Sequence, residues 1–228
     1  MMRQRRLGNS GLHVSVIGLG CWGMSHAYGP AEERESLATL EKALDLGINF
    51  LDTADVYGHG HNERLIARVL KTRRPEAVVA TKFGFVGEEH GAVGVCGRPD
   101  YVRTACEGSL KRLGIDVIDL YYLPRRDPGV PIEETVGAMQ RNRSLIDRLN
   151  RLSRTCGHSP AQLALAWLLA RDPSIVPIPG MKRRPYLTEN AAAADLRLRP
   201  ETLAALDALG EGVAGERHNA QNLRFVEK

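Results

Sequence analysis

Short, nearly continuous apolar runs alternate with longer amphipathic stretches along this chain, and that alternation limits its fold more than any other feature. The strand candidates are VSVIGLG (14–20), INFLDTA (48–54), AVVATKFG (77–84), VIDLYYL (117–123) and SIVPIPG (174–180). Runs that are apolar throughout suit parallel strands buried on both faces. Helix candidates lie at 31–46, 62–71, 99–113, 132–140, 144–156, 160–170, 185–195 and 200–209. Ser159 ahead of Pro160, and Pro200 ahead of a run that closes at Gly210, give start and stop signals for the later helices. The opening RRLGNSGLHVS reads as a hairpin that turns at Asn9-Ser10-Gly11. Strand and helix in alternation predict a mainly parallel sheet.

The strand count is short for a closed barrel. Five parallel candidates stand where a (β/α)8 barrel needs eight. The deficit falls between Leu123 and Ser174, where Ile132, Val136 and Met139, then Ile146, Leu149 and Leu152, have the spacing of two helices in series.

The 228 residues are 43% hydrophobic and 25% charged, enough for one sizeable core. The formal charge of +4 comes from interspersed acids and bases, so it demands neither a nucleic-acid nor a membrane partner. Cys21, Cys96, Cys106 and Cys156 form no CxxC pair and no zinc spacing. No apolar run reaches membrane-spanning length and no secretory signal pattern opens the chain, so a cytoplasmic protein with reduced thiols is expected.

In a parallel α/β sheet the working residues sit at the carboxyl ends of the strands. Those ends read Gly20-Cys21-Trp22, Asp52, Lys82 and Pro124, with Tyr57 five residues after Asp52. A phenol ionises near pH 10 in isolation, about three units too high for easy acid chemistry. A neighbouring ammonium favours the phenolate, and an aspartate can hold that ammonium in place. Position alone leaves two readings open: a proton-donor system, or a Lys–Asp ion pair with Tyr57 packed beside it.

The segments NFLDTADVYGHGHNE (49–63), ATKFG (80–84), DLYYL (119–123), PAQLALAWLL (160–169) and VPIPGMKRRPYLTEN (176–190) occur in one order over almost the whole chain. Together they resemble the aldo-keto reductase family. The resemblance implies a TIM barrel that reduces aldehydes or ketones with NADPH through an Asp, Tyr, Lys and His tetrad. The first three carry over onto Asp52, Tyr57 and Lys82. The family reads close to LYYLHR after its fourth strand, and this chain reads LYYLPR, so Pro124 stands at the histidine position. That histidine orients the carbonyl, and losing one such donor costs roughly a hundredfold or more in rate. Arg125 and Arg126 are no obvious substitutes, since neighbours on an extended segment point to opposite faces.

After PIEETVGAMQ the family continues through its fifth to seventh strands, whereas here RNRSLIDRLNRLSR follows at once. About three βα units, on the order of 90 residues, are therefore expected to be missing at a junction near 140–141. The 182–190 loop matches the family's grip on the 2′-phosphate and adenine, with Lys182 and Arg183 toward the phosphate and Glu189 and Asn190 toward the adenine. The loop holding Gly20 and Trp22 lines the family's pocket, with Trp22 as its apolar wall.

Three other patterns weigh less. GLGCWG fits GxGxxG at Gly18, Gly20 and Gly23, but a dinucleotide fingerprint needs a helix to begin inside the glycines, and the loop continues to about Pro30. HGHNE offers His59, His61 and Glu63 without a fourth ligand, and the resemblance gives Glu63 a scaffold role. RNRSLIDRLNRLSR is a basic amphipathic helix of a kind that is usually solvated.

The expectation is thus a single domain over 1–228: an incomplete TIM-derived barrel with an N-terminal β-hairpin and five parallel strands in spatial order 5-1-2-3-4. Its activity would be NADPH-dependent carbonyl reduction, impaired by Pro124 and the missing strands. The alternative is a catalytically inactive fragment or interaction module. A third possibility, an independent doubly wound sheet, would use the glycine loop. Open parallel edges predict self-association.

Overall fold

The computed structural model describes residues 2–25, 29–86, 94–95, 99–122 and 148–210. Strands β1 (Gln4–Arg6) and β2 (His13–Ser15) form an antiparallel hairpin. Ser10 ties its turn, donating from Oγ to the Leu7 carbonyl at 2.6 Å and accepting from the Leu12 N–H at 3.2 Å. The main sheet holds β3 (Leu19–Gly20), β4 (Phe50–Asp52), β5 (Val78–Lys82) and a last strand, β8 (Leu120–Tyr122), all parallel and in that order. Between β5 and β8 come the short antiparallel pair β6 (Phe85–Val86) and β7 (Gly94–Val95).

Helices α1 (Glu33–Asp45), α2 (His61–Arg73) and α3 (Pro99–Leu113) supply the crossovers. They are followed by α4 (148–156), α5 (Pro160–Arg171), α6 (Arg184–Ala192) and α7 (Pro200–Gly210). Ser159 caps α5 as expected: its Oγ accepts from the Gln162 N–H, and the Gln162 side chain accepts from the Ser159 N–H in return. Such a cap contributes about 1 kcal/mol. The 132–140 helix candidate, residues 144–147, Pro124 and the 140–141 junction lie outside the described residues.

Two strand expectations need correction. The run 14–20 is not one strand, because Val14 and Ser15 belong to the hairpin and only Leu19 and Gly20 join the parallel sheet. Asn49 holds that break, accepting from the Ser15 N–H at 2.6 Å, while Ser15 Oγ donates to the Ile17 carbonyl. The run 174–180 is not a continuous strand either. It docks on β3 through Gly18 N–H to the Pro177 carbonyl at 2.9 Å, Gly20 N–H to the Pro179 carbonyl at 3.1 Å, and one parallel bridge between Gly20 and Gly180. Prolines accept but cannot donate, which thins the ladder to alternate bonds. The segment nevertheless lies where the expected order put it, beside the first strand.

Period-2 alternation sorts the sheet into two faces. Leu19, Leu51 and Val79 face the helices and pack with Leu40, Leu44, Ile66 and Leu70 in the main core. Phe50 and Ala80 face the other way, onto Val14, with Val78, Leu120, Tyr122, Val176 and Ile178 half-buried around them. On that inner face Asp52, Lys82 and Tyr122 come last along their strands. At the first strand the faces meet closely: a Cβ on Gly20 would lie 2.8 Å from the Ile178 carbonyl oxygen, and one on Gly18 would lie 2.6 Å from the Ile178 side chain. This close approach accounts for both glycines, and α1 starts only at Glu33, well past them.

Candidate active site

The register of the sheet brings the strand-end residues together. Lys82 lies opposite Tyr122 across β5 and β8, and Asp52 lies opposite Ala80, two residues before Lys82 on the same face. The Lys82 ammonium donates to Asp52 Oδ2 at 2.6 Å, to the Thr53 carbonyl at 2.8 Å and to the Tyr57 hydroxyl oxygen at 3.1 Å. An ammonium has three N–H groups, so each has a partner. The Asp52 and Lys82 side chains are only 6% and 12% exposed, which strengthens their attraction and makes those partners necessary. The Cys21 N–H donates to the Asp52 carbonyl at 2.9 Å and anchors this strand end to the first loop.

Lys82 thus places a cationic donor on the Tyr57 oxygen. The ammonium also stands 4.9 Å from the centre of the Tyr57 ring. The contacts of both readings left open by position are present: Lys82 pairs with Asp52 and at the same time donates to the Tyr57 oxygen. Trp22 stacks on Tyr57 with ring centres 5.7 Å apart and an interplanar angle of 20°, and it is 48% exposed.

Two further residues of the site were not singled out in the sequence. Tyr122 donates its hydroxyl to Asp52 Oδ1, the oxygen Lys82 does not use, and its ring centre lies 5.2 Å from the Lys82 nitrogen. Burial, and then the adjacent Asp52 charge, push its phenol above the ordinary range, so it stays protonated. Alternation on β8 was the available signal, since residue 122 shares a face with Leu120. The other is Asn62, fully buried between the His61 and Glu63 of the HGHNE motif. It accepts from Thr53 Oγ1 at 2.7 Å and donates to the Cys21 carbonyl and to Ser25 Oγ, both at 2.8 Å. It thereby fixes the 3-10 turn Trp22–Ser25 against the end of β4.

The rest of HGHNE is structural in its contacts. His61 Nδ1 lies 3.0 Å from Ser25 Oγ. Glu63, with no exposed surface, accepts from Thr81 Oγ1 at 2.8 Å and from Arg112 Nε at 2.6 Å, tying α2 to β5 and α3. Among the described residues no group of three His, Cys, Asp or Glu side chains could hold a metal. Cys21 is completely buried, and burial followed by the nearby Asp52 charge raises its thiol far above the usual range. It is a core residue, with no thiolate character.

At the other end of the site, Lys182 donates to the Gly29 and Pro30 carbonyls at 3.2 and 3.1 Å. Arg183 stands exposed at the N-cap of α6 and makes no ion pair among the described residues. Arg184, by contrast, is committed: its guanidinium grips Glu35 of α1 with both ends at 3.2 and 2.9 Å. Asn190 is 8% exposed, and its Oδ1 has no hydrogen-bond partner among the described residues. The Glu189 carbonyl accepts from Gln162 at 3.0 Å, which locks α6 onto α5. Among the described residues no helix is long and apolar enough to cross a membrane.

The Asp52–Lys82–Tyr57 constellation at the carboxyl rim of a parallel sheet can be compared with known proteins. An aldo-keto reductase of Glycine max is 44% identical over 138 residues, covering 60% of this chain but only 40% of that protein. The chain therefore spans well under half the length of that relative. The solved structure of aldo-keto reductase AKR11C1 from Bacillus halodurans, in its holo form, superposes with a TM-score of 0.71 at 23% identity, covering 96% of this chain and 99% of that one. An aldo/keto reductase from Klebsiella pneumoniae, crystallised with NADP and acetate, gives a TM-score of 0.69 at 22% identity over the full length of both. These two likenesses establish the TIM-barrel-derived fold. The model of the aldo/keto reductase family matches residues 16–141 and 138–211. With most of its length matched in this way, the chain belongs to the aldo/keto reductase family.

Proposed function

We propose that this chain reduces aldehydes or ketones to alcohols with NADPH, Tyr57 giving the proton. The observation that carries this reading is the Lys82 ammonium, which donates at once to the Tyr57 oxygen, Asp52 and the Thr53 carbonyl. The start of α6 fits the phosphate and adenine end of the cofactor: Arg183 is an exposed cation at a helix N-terminus, and the buried Asn190 amide oxygen has no partner among the described residues. Lys182 and Glu189 complete that group, and Gly20 lies beside it on the loop that carries Trp22. Bound NADPH would supply the hydride to the carbonyl carbon.

The chain's own residues account for the proton. The carbonyl oxygen is placed against the Tyr57 hydroxyl, with Trp22 as the apolar wall. As negative charge develops on that oxygen, the Tyr57 O–H bond breaks and its proton moves to the oxygen. The phenolate left behind is stabilised by Lys82 at 3.1 Å, and Asp52 holds that ammonium in place. Pro124 provides no imidazole to orient the carbonyl, so turnover roughly a hundredfold or more below that of a complete site is expected.

A second reading, an inactive scaffold, is favoured by Pro124 and by the two matched stretches of the family model, which meet at 138–141. That meeting supports a chain shortened near 140–141. Among the described residues β8 pairs only with β5, and self-association through its other side belongs to this reading. The test is an equilibrium titration with NADPH and NADH followed by the fluorescence of Trp22 and Trp167. Saturable binding that prefers NADPH supports the reductase, and absence of binding by the folded chain leaves the scaffold.

A further inference from the structure

Asp52 divides its two oxygens between different partners. Oδ2 accepts from Lys82 at 2.6 Å, and Oδ1 accepts from the Tyr122 hydroxyl. Asp52 as a whole is 4% exposed, so water cannot readily replace either partner. The Tyr122 ring completes the arrangement: the Lys82 nitrogen lies between two tyrosine faces, 4.9 Å from Tyr57 and 5.2 Å from Tyr122.

We propose that Tyr122 is a positioning residue for the proton donor, holding Asp52 Oδ1 so that the carboxylate meets Lys82 through Oδ2 alone and leaves an ammonium N–H for Tyr57. The physical argument is one of competition. A carboxylate that already accepts a hydrogen bond on one oxygen spreads less charge onto the other, and it is a weaker acceptor toward a cation. With the Tyr122 hydroxyl removed, Oδ1 would be buried and unpaired. The carboxylate then turns both oxygens toward Lys82, drawing the ammonium off Tyr57 and weakening the stabilisation of its phenolate. Tyr122 does not replace Tyr57 as the acid, because its proton is committed to Asp52 and its phenol is held above the ordinary range by burial and that charge.

The charged and titratable groups coupled to this cluster among the described residues are Asp52 on β4, Lys82 on β5 and Tyr122 on β8. Cys21 and Asp55, in the loops after β3 and β4, also couple to Lys82. Cys21 remains a neutral thiol. Asp55 ionises near pH 6, well below the range in which phenols titrate.

The inference rests on Tyr57 being the proton donor, but its test needs neither cofactor nor turnover. The ionisation of Tyr57 is read from the ultraviolet absorbance of phenolate in alkaline titration. Subtracting the same titration of Tyr57→Phe isolates that residue from the other tyrosines. In Tyr122→Phe, compared with a Tyr57→Phe/Tyr122→Phe double variant, Tyr57 is expected to ionise about one pH unit higher, a tenfold smaller ionisation constant. Tyr122→Gln, which keeps an N–H donor for Asp52, is expected to stay within about threefold of the unaltered chain. An unchanged Tyr57 in Tyr122→Phe, whatever happens to its melting temperature, overturns the proposal and leaves Tyr122 a structural residue. Should Tyr122→Phe not fold, Tyr122→Gln decides: a tenfold change despite the retained donor overturns it, and no change supports it. If Tyr57 shifts as expected but the unaltered chain turns over no carbonyl, the positioning role stands and the reductase reading fails.

Discussion

Asn62 on α2 holds the Cys21 carbonyl at 2.8 Å while Thr53 Oγ1 holds Asn62 at 2.7 Å, so one buried amide joins the first loop of the sheet to the end of β4. Replacing it by alanine strands the Thr53 hydroxyl and the Cys21 carbonyl away from water. Asn62→Ala is expected to lower unfolding stability by about 3 kcal/mol, measured by urea denaturation. A cost below about 1 kcal/mol would show that the amide is not the link described.

Trp22 presents the opposite case, with 48% of its surface exposed and its ring on Tyr57. Trp22→Ala is expected to change the melting temperature little. It should raise the KM for an aromatic aldehyde about tenfold, the worth of one lost aromatic contact. A large fall in stability with an unchanged KM would place Trp22 in the core instead of the pocket.

Asp55 makes stability depend on pH. Burial, and then the nearby Glu63 charge, raise its carboxyl from the ordinary value near 3.8 to about 6, and its Oδ1 has no hydrogen-bond partner among the described residues. Between those two pH values the folded chain holds a proton that the unfolded chain has released. The contribution of Asp55 is therefore most favourable below about pH 4 and is lost as pH rises through about 6. Since the group keeps some contact with water, the loss is about 1–2 kcal/mol, less than the full shift implies. Asp55→Asn should remove this dependence from a series of urea midpoints across that range, and an unchanged slope would contradict the assignment.

Much of this was legible in the residues. The runs 48–54, 77–84 and 117–123 are nearly continuously apolar, as suits strands packed on both faces, and β4, β5 and β8 lie within them. Ser159 and Pro160 marked the start of α5 because capping is a local matter of a side chain and its own backbone. The split of 14–20 was not legible, since it depends on Asn49, thirty-four residues away, accepting from Ser15. Nor was the thinned ladder at 177–180, where prolines meet glycines of a distant strand. Within the site, Asp52, Tyr57 and Lys82 could be named from the strand ends and the family resemblance. Alternation puts Tyr122 on the face of Leu120, but its role and that of Asn62 could not be read, because each depends on a partner on another strand or loop.

The side of β8 away from β5 gives a prediction about assembly. Among the described residues that edge has no strand partner, and with half-buried Leu120 and Tyr122 beside it, it favours association with another chain. Sedimentation velocity over a tenfold concentration range is expected to show species heavier than 25.1 kDa that grow with concentration. A single stable monomer throughout would rule that association out.

The most direct test of the central claim is the aldehyde-dependent oxidation of NADPH by the unaltered chain beside Tyr57→Phe. The account predicts slow but measurable turnover that falls at least about a hundredfold when the phenol is removed, while NADPH binding persists. Equal rates in the two chains, or no turnover by a chain that binds NADPH, would contradict Tyr57 as the proton donor of a working reductase.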